Sequence, residues 1–179
     1  MKQFLFAMLF AAVSSHAAGE TFYQKNNSMW TVYGVDQQEL NPACYAVTKW
    51  DDGSDFRLIF DLADGELYML IVNNQWNIID PPGNYNLRLN LFINNNVLGD
   101  NLTFELLNKN TIRIRAMPIK FIDMFAQANR MQIVMPGSIS NVIVNLSKSS
   151  QAVDFMTQCV DTYKSIKKRV TTPSKRFDL

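Results

Sequence analysis

The chain has 179 residues, of which 17 are basic, 16 acidic and 47% hydrophobic. This near-neutral composition with an ordinary apolar content excludes a disordered polyelectrolyte and a strongly basic nucleic-acid binder, and it fits one globular domain. The single histidine is His16. A domain that begins after it lacks the residue on which Ser-His-Asp and Cys-His hydrolases and histidine-ligated zinc sites depend.

The N-terminus is typical of a secretory signal peptide. Lys2 precedes an apolar run over residues 4–13, and small residues follow up to Ala18. This order predicts cleavage after Ala17. The run is too short to cross roughly 30 Å of hydrocarbon, and no later stretch is longer. We therefore expect no transmembrane segment in the mature chain.

Residues 30–72 predict an antiparallel meander. Aromatic, β-branched or alternating residues indicate strands over residues 30–35, 44–50, 56–62 and 67–72. The last of these is a continuous apolar run, which predicts a strand covered on both faces.

The remaining chain mixes strand and helix patterns. Strand patterns cover residues 85–93, 103–107, 111–116, 131–135 and 139–146. Pro118 opens a short helical pattern that carries Ile119, Ile122 and Phe125 on one side. A second helix is predicted from Ser149 onward. Its apolar stripe comprises Ala152, Met156, Cys159, Tyr163 and Ile166.

These elements predict a mainly β (α+β) fold. We expect an antiparallel β-sandwich or partly open barrel of about nine strands with a short inserted helix and a docked C-terminal helix. The predicted organisation is a signal peptide over residues 1–17, a single β-rich domain over 18–166 and a basic, flexible tail over 167–179. Residues 18–163 hold ten basic and fifteen acidic residues, so a mildly acidic body precedes this basic end.

The chain has two cysteines, Cys44 and Cys159. In an exported protein this number predicts one disulfide, which here joins an early strand to the last helix. Closure of a loop of 115 residues is worth on the order of 4–5 kcal/mol in the chain-entropy model.

Several short motifs resemble those of a group of small exported bacterial domains to which no activity is assigned. They are the Trp-x-Val-x-Gly segment at 30–34, Cys-Tyr-Ala at 44–46, Asn-Gln-Trp at 74–76, Phe-Ile-Asp-Met-Phe-Ala at 121–126 and Leu-Ser-Lys-Ser-Ser-Gln-Ala at 146–152. The resemblance covers residues 29–160. It implies an exported address and an early-strand to late-helix disulfide, and the basic end beyond Tyr163 departs from it.

Four side chains are candidate binding residues. Arg88, Arg113 and Arg115 occupy outward positions of predicted strands and would form a basic patch for an anion or acidic partner if those strands were neighbours. The alternative is a solvated sheet face. Trp50 adjoins a polar turn and could stack on a sugar, although large aromatic residues in strands more often belong to the core. The basic tail could make weak contact with an anionic surface.

No catalytic, metal or cofactor motif is present, so we expect neither a cofactor nor an enzyme. The leading hypothesis is a non-enzymatic periplasmic or secreted binding module that acts through a protein surface, for example an inhibitor or immunity-type protein of the cell envelope. Its expected partner is another envelope or secreted protein, not a nucleic acid. The alternatives are a carrier of a small ligand or sugar, and a hydrolase that uses two carboxylates.

Overall fold

The computed structural model describes residues 20–37, 40–49, 53–78, 80–94, 96–115, 117–134 and 141–171. Ten strands and two helices occupy them. They are β1 (Glu20–Asn26), β2 (Thr31–Gln37), β3 (Leu40–Lys49), β4 (Asp55–Asp61), β5 (Leu67–Val72), β6 (Gly83–Ile93), β7 (Asn96–Asn108), β8 (Thr111–Ile114), α1 (Lys120–Gln127), β9 (Arg130–Val134), β10 (Val142–Asn145) and α2 (Ser149–Thr171).

All ten strands form one open antiparallel sheet, so the predicted mainly β fold is confirmed. The strand order is β1-β2-β3-β4-β5-β8-β7-β6-β9-β10. The first five strands follow the chain as a meander. The connection from β5 to β6 then passes the positions of β8 and β7, and β8 returns to pair with β5. Residues far apart in the sequence are thereby brought to neighbouring strands.

The two ends of the sheet approach each other without strand pairing. The indole Nε1 of Trp30, just before β2, donates a hydrogen bond to the carbonyl oxygen of Ser147, just after β10, at 3.0 Å. Nearby, Lys148 Nζ donates to Ser28 Oγ at 2.8 Å. These bonds link the two ends of the open sheet.

The core lies on the face of the sheet that carries both helices. The rings of Trp30, Phe56 and Phe125 pack together there, with centroids 5.6 to 6.1 Å apart. All three are almost completely buried. Because such aromatic contacts bury large apolar areas, this cluster fixes α1 against the early strands.

The helices have the predicted positions but differ in detail. α1 buries Phe121 and Phe125, whereas Ile119 is 59% exposed, so its buried face is rotated from the predicted one. In α2 the predicted stripe from Ala152 to Tyr163 is buried. The Ser149 hydroxyl donates to the carbonyl of Phe125 at 2.9 Å and so ties the two helices together. α2 continues to Thr171, five residues into the segment predicted as a tail.

Two strand segments were not predicted from the sequence patterns. β1 has no buried position, and the first half of β7, residues 96–101, is exposed at every position. Because neither segment has a buried side, its sequence need not alternate between apolar and polar residues, and periodicity did not reveal it. Their strand conformation follows from backbone pairing with β2 and β6.

Candidate functional site

The disulfide establishes which face of the sheet is covered. Cys44 in β3 and Cys159 in α2 are bonded as predicted, are fully buried and have Cα atoms 6.2 Å apart. α2 therefore lies on the Cys44 side of the sheet, and the contact of Phe125 with Phe56 places α1 on the same side. The disulfide also indicates an oxidising, extracytoplasmic compartment.

The opposite side of the sheet, here called the outer face, is not covered by either helix. Side chains alternate between faces along each strand, so Tyr33, Tyr45 and Tyr68 point away from the helix side. In β5 the buried positions alternate with half-buried ones. The prediction that β5 is covered on both faces is therefore wrong, because one set of its apolar side chains lies at the surface.

Four neighbouring strands carry a lateral row of large side chains on the outer face. The strand register pairs Tyr33 with Tyr45, Tyr45 with Ile59, and Ile59 with Tyr68. The rings of Tyr33 and Tyr45 stack at 5.0 Å with an interplanar angle of 11°. Ile59 is only 3% exposed, although no helix covers it, because the row packs on both sides of it.

Arg57 and Asp55 stand beside this row on β4. Their ion pair joins Arg57 Nη2 to Asp55 Oδ2 at 2.7 Å, with the two side chains 35% and 20% exposed. Arg57 Nε and Asp55 Oδ1 are buried and make no hydrogen bond within the described part of the chain. A buried donor or acceptor without a partner is costly. We call the set Tyr33, Tyr45, Asp55, Arg57, Ile59 and Tyr68 the tyrosine face.

Partial burial shifts the pKa values of the tyrosines on this face. Burial raises the pKa of the Tyr33, Tyr45 and Tyr68 hydroxyls above its ordinary value, because the phenolate would lose hydration. The charge of Arg57 opposes this shift at Tyr33 and Tyr45. The hydrogen bond that Arg57 donates to the Asp55 carboxylate raises the pKa of Arg57. The face therefore presents neutral phenols and a fixed guanidinium at physiological pH.

A polar cleft of about 230 Å³ adjoins the tyrosine face at Tyr68. It is lined by Asn41, Asp61, Asp64, Glu66, Tyr68, Arg113 and Arg115. Asp61 Oδ1 accepts the backbone N–H of Ala63 at 2.8 Å, and Asn41 donates to its Oδ2 at 3.1 Å. The turn between β4 and β5 accounts for the position of this carboxylate, and the lining of the cleft carries charges of both signs.

The predicted arginine patch is only partly assembled. Arg113 and Arg115 meet at Glu105, with Arg113 Nη2 at 2.6 Å and Arg115 Nε at 3.5 Å from Glu105 Oε2. The bond from Arg113 lowers the pKa of the Glu105 carboxyl. Arg88 lies on β6, beyond β7, where its Nε donates to Asn90 Oδ1 at 3.2 Å. Trp50 lies outside the described residues.

The tyrosines were not singled out by sequence analysis. The sequence nevertheless contained a signal for them. In β2 and β3 the residues on the core side are apolar, and so are those on the opposite side, namely Tyr33 and Val35 in β2 and Tyr45 and Val47 in β3. On a solvated sheet face this set is ordinarily polar.

Comparison of the chain with protein-family models, curated proteins and solved structures finds no match. The similarity to exported bacterial domains therefore identifies no family, while the early-strand to late-helix disulfide that it implied is present. Neither of the two described helices has the length and hydropathy to span a bilayer. Within the described ranges, no three side chains are grouped as metal ligands.

Proposed function

We propose that this protein is a periplasmic or secreted binding module that holds another envelope or secreted protein on its tyrosine face. The observation that carries the proposal is the row formed by Tyr33, Tyr45 and Tyr68 on the side of the sheet that neither helix covers. An inhibitor or immunity-type protein is one form such a module takes.

The composition of the face matches that of protein interfaces. Tyrosine and arginine are enriched among residues that dominate binding energy, and they act from partly desolvated, well-packed positions. Tyr33 and Tyr45 hold each other by stacking, so little side-chain entropy is lost when a partner covers them. Half-buried tyrosines also keep a hydroxyl group available for hydrogen bonding at the edge of the contact.

The polar groups of the face define the chemistry of the partner. Arg57 Nε is a donor and Asp55 Oδ1 an acceptor, and both lack a partner in the described structure. An exposed peptide group offers one acceptor and one donor, and a carboxamide offers one acceptor and two donors. Either would satisfy both atoms after small side-chain rotations that expose them. The adjoining cleft, with Asp64 and Glu66 opposite Arg113 and Arg115, would receive a charged side chain of the same partner.

Affinity capture from the envelope and secreted fractions tests the proposal. The disulfide-bonded mature chain serves as bait beside Tyr45→Ala and Arg57→Ala variants. The matched control is Ile143→Ala, because Ile143 is an exposed apolar residue, 57% accessible, on β10, which pairs with none of the four strands that carry the tyrosine face. A protein recovered in stoichiometric amount is then purified, and its dissociation constant for each variant is measured.

We expect Tyr45→Ala and Arg57→Ala to weaken binding at least about 30-fold, since interface hot spots contribute 2 kcal/mol or more. The control should bind within about twofold. Far-ultraviolet circular dichroism and melting curves verify that each variant is folded. A partner that binds the two face variants as tightly as the control refutes the tyrosine face as the interface, and the absence of any stoichiometric partner refutes the function.

A further inference from the structure

An apolar cavity lies on the helix side of the sheet, far from the tyrosine face. It has a volume of about 300 Å³ and opens between α1 and the hairpin formed by β6 and β7. Its lining includes Leu89, Leu91 and Phe121, each at most 3% exposed, so the cavity reaches the hydrophobic core. Val97 and Leu98 at its rim are 52% and 46% exposed.

The sheet topology explains why this space is not filled. β8 pairs with β7 only between Phe104 and Asn108. Residues 96–103 of β7 therefore have β6 on one side and no described strand on the other. After β8 the chain turns to Met117, whose N–H bonds the carbonyl of Leu67 at 3.0 Å, and then enters α1. The cavity is the gap left beside residues 96–103 of β7, where the chain leaves the sheet after β8 and enters α1.

Two charged residues stand at the rim. Lys120 at the start of α1 and Asp100 in β7 both line the opening. Both are exposed, and neither forms a salt bridge within the described residues. The opening thus combines an apolar interior with one cationic and one anionic group at its edge, the arrangement that complements an amphiphile with a zwitterionic head.

We propose that this cavity binds a single-chain amphiphile, with the alkyl chain packed against Leu98, Leu102 and Met124. Leu89, Leu91 and Phe121 form the floor beneath it. A phosphocholine-type head group lies at the rim, its phosphate near Lys120 and its ammonium near Asp100. The volume is at the lower end of the range for small-ligand pockets, about 300–1,000 Å³, and so admits one chain of moderate length and not a diacyl lipid. The proposal is independent of the tyrosine face.

The free edge of β7 offers a competing occupant, an extended peptide added as an extra strand. Such a peptide would lie in the plane of the sheet and bond the backbone of residues 96–102. The opening lies out of that plane, on the helix side of the sheet between α1 and β6, so an added strand would leave it unfilled. This position therefore favours the alkyl chain.

Methionine-methyl NMR tests the proposal, because two methionines line the cavity. Met117 and Met124 are the reporters, and Met29 and Met156, which do not line it, are internal controls. Alkylphosphocholines with chains of increasing length are titrated below their micelle concentrations. We expect saturable shifts confined to the reporters, with affinity rising roughly fourfold per methylene until the cavity is filled.

Variants distinguish the contribution of the ligand's alkyl chain to binding from that of its head group. Met124→Trp fills the cavity and should weaken decylphosphocholine at least about tenfold, whereas Ile143→Trp on β10 should not change its affinity. Lys120→Ala leaves the cavity intact and should weaken decylphosphocholine more than the uncharged decyl maltoside. Circular dichroism establishes that the variants fold.

Three results overturn the proposal. One is the absence of reporter shifts, or equal shifts at the reporters and controls. Another is an affinity independent of chain length. The third is binding of an extended apolar peptide that protects amides of residues 96–102 and excludes the alkylphosphocholine, which would make this opening a peptide site.

Discussion

Gly34 in β2 lies directly against the sulfur of Cys159. A Cβ added to Gly34 would be 2.7 Å from Cys159 Sγ and closer still to the ring of Phe22. Gly34 also pairs with Cys44 in the neighbouring strand. Only a residue without a side chain leaves room for the disulfide to pass between the sheet and α2.

Gly34→Ala should therefore destabilise the protein. Because Phe22 and the disulfide must move to admit a methyl group, we expect a loss of about 1–3 kcal/mol in the free energy of unfolding. Gly83→Ala is the matched control, since its Cβ would have no neighbour closer than 3.7 Å. Urea denaturation measures both. Equal midpoints for the two variants would contradict the close packing at Gly34.

The disulfide should contribute much of the stability. In Cys44→Ala/Cys159→Ala the unfolded chain regains the freedom of a loop of 115 residues, so we expect the free energy of unfolding to fall by about 4–5 kcal/mol. Urea denaturation with and without reductant checks this. Reductant should lower the midpoint of the wild type and leave that of the double variant unchanged. A wild-type midpoint insensitive to complete reduction would contradict the prediction.

The tyrosine face should make stability sensitive to alkaline pH. Burial raises the pKa values of Tyr33, Tyr45 and Tyr68 in the folded state. A raised pKa means that folding favours the neutral phenol. Its stabilising contribution is therefore fully present below the unfolded pKa of about 10 and is lost as pH rises through the folded value.

Phenolate absorbance during a pH titration checks this prediction. Several tyrosines of the native protein should ionise at higher pH than those of the urea-unfolded chain. Replacing Tyr33, Tyr45 and Tyr68 with Phe should leave Tyr23 as the described tyrosine whose pKa burial raises, and should reduce the alkaline loss of stability. Coincident titration curves for the native and unfolded chains would contradict the burial of these hydroxyls.

The hydrogen bond from the Trp30 indole to the Ser147 carbonyl, which links the two ends of the sheet, should contribute measurably to stability. Trp30→Phe removes the indole donor, leaves the Ser147 carbonyl without its partner and reduces core packing. We expect a loss of about 2 kcal/mol in the free energy of unfolding. Lys148→Ala, which removes the exposed bond to Ser28, should cost less than about 0.5 kcal/mol. Similar costs for the two variants would argue against a stabilising role for the indole bond.

Local patterns in the sequence were sufficient for most elements. The alternation around Phe56–Phe60 and Tyr85–Ile93 predicts β4 and β6, and the stripe from Ala152 to Tyr163 predicts α2. The disulfide followed from the cysteine count. The outward positions of Arg113 and Arg115 were also predicted, and Ile112 and Ile114 between and before them are buried. Each of these depends only on residues adjacent in the chain or on a single pair.

The candidate sites depend on which strands become neighbours, and local periodicity carries no information about that. Because β8 returns to pair with β5, Arg115 lines the same cleft as Tyr68. β7 then lies between β8 and β6 and separates Arg115 from Arg88. Register across four strands aligns Tyr33, Tyr45 and Tyr68. The sequence by itself determined which side is apolar in the strands that alternate, such as β4 and β6. Only long-range pairing, whose free energy comes from the assembled core, decided which of those sides meet.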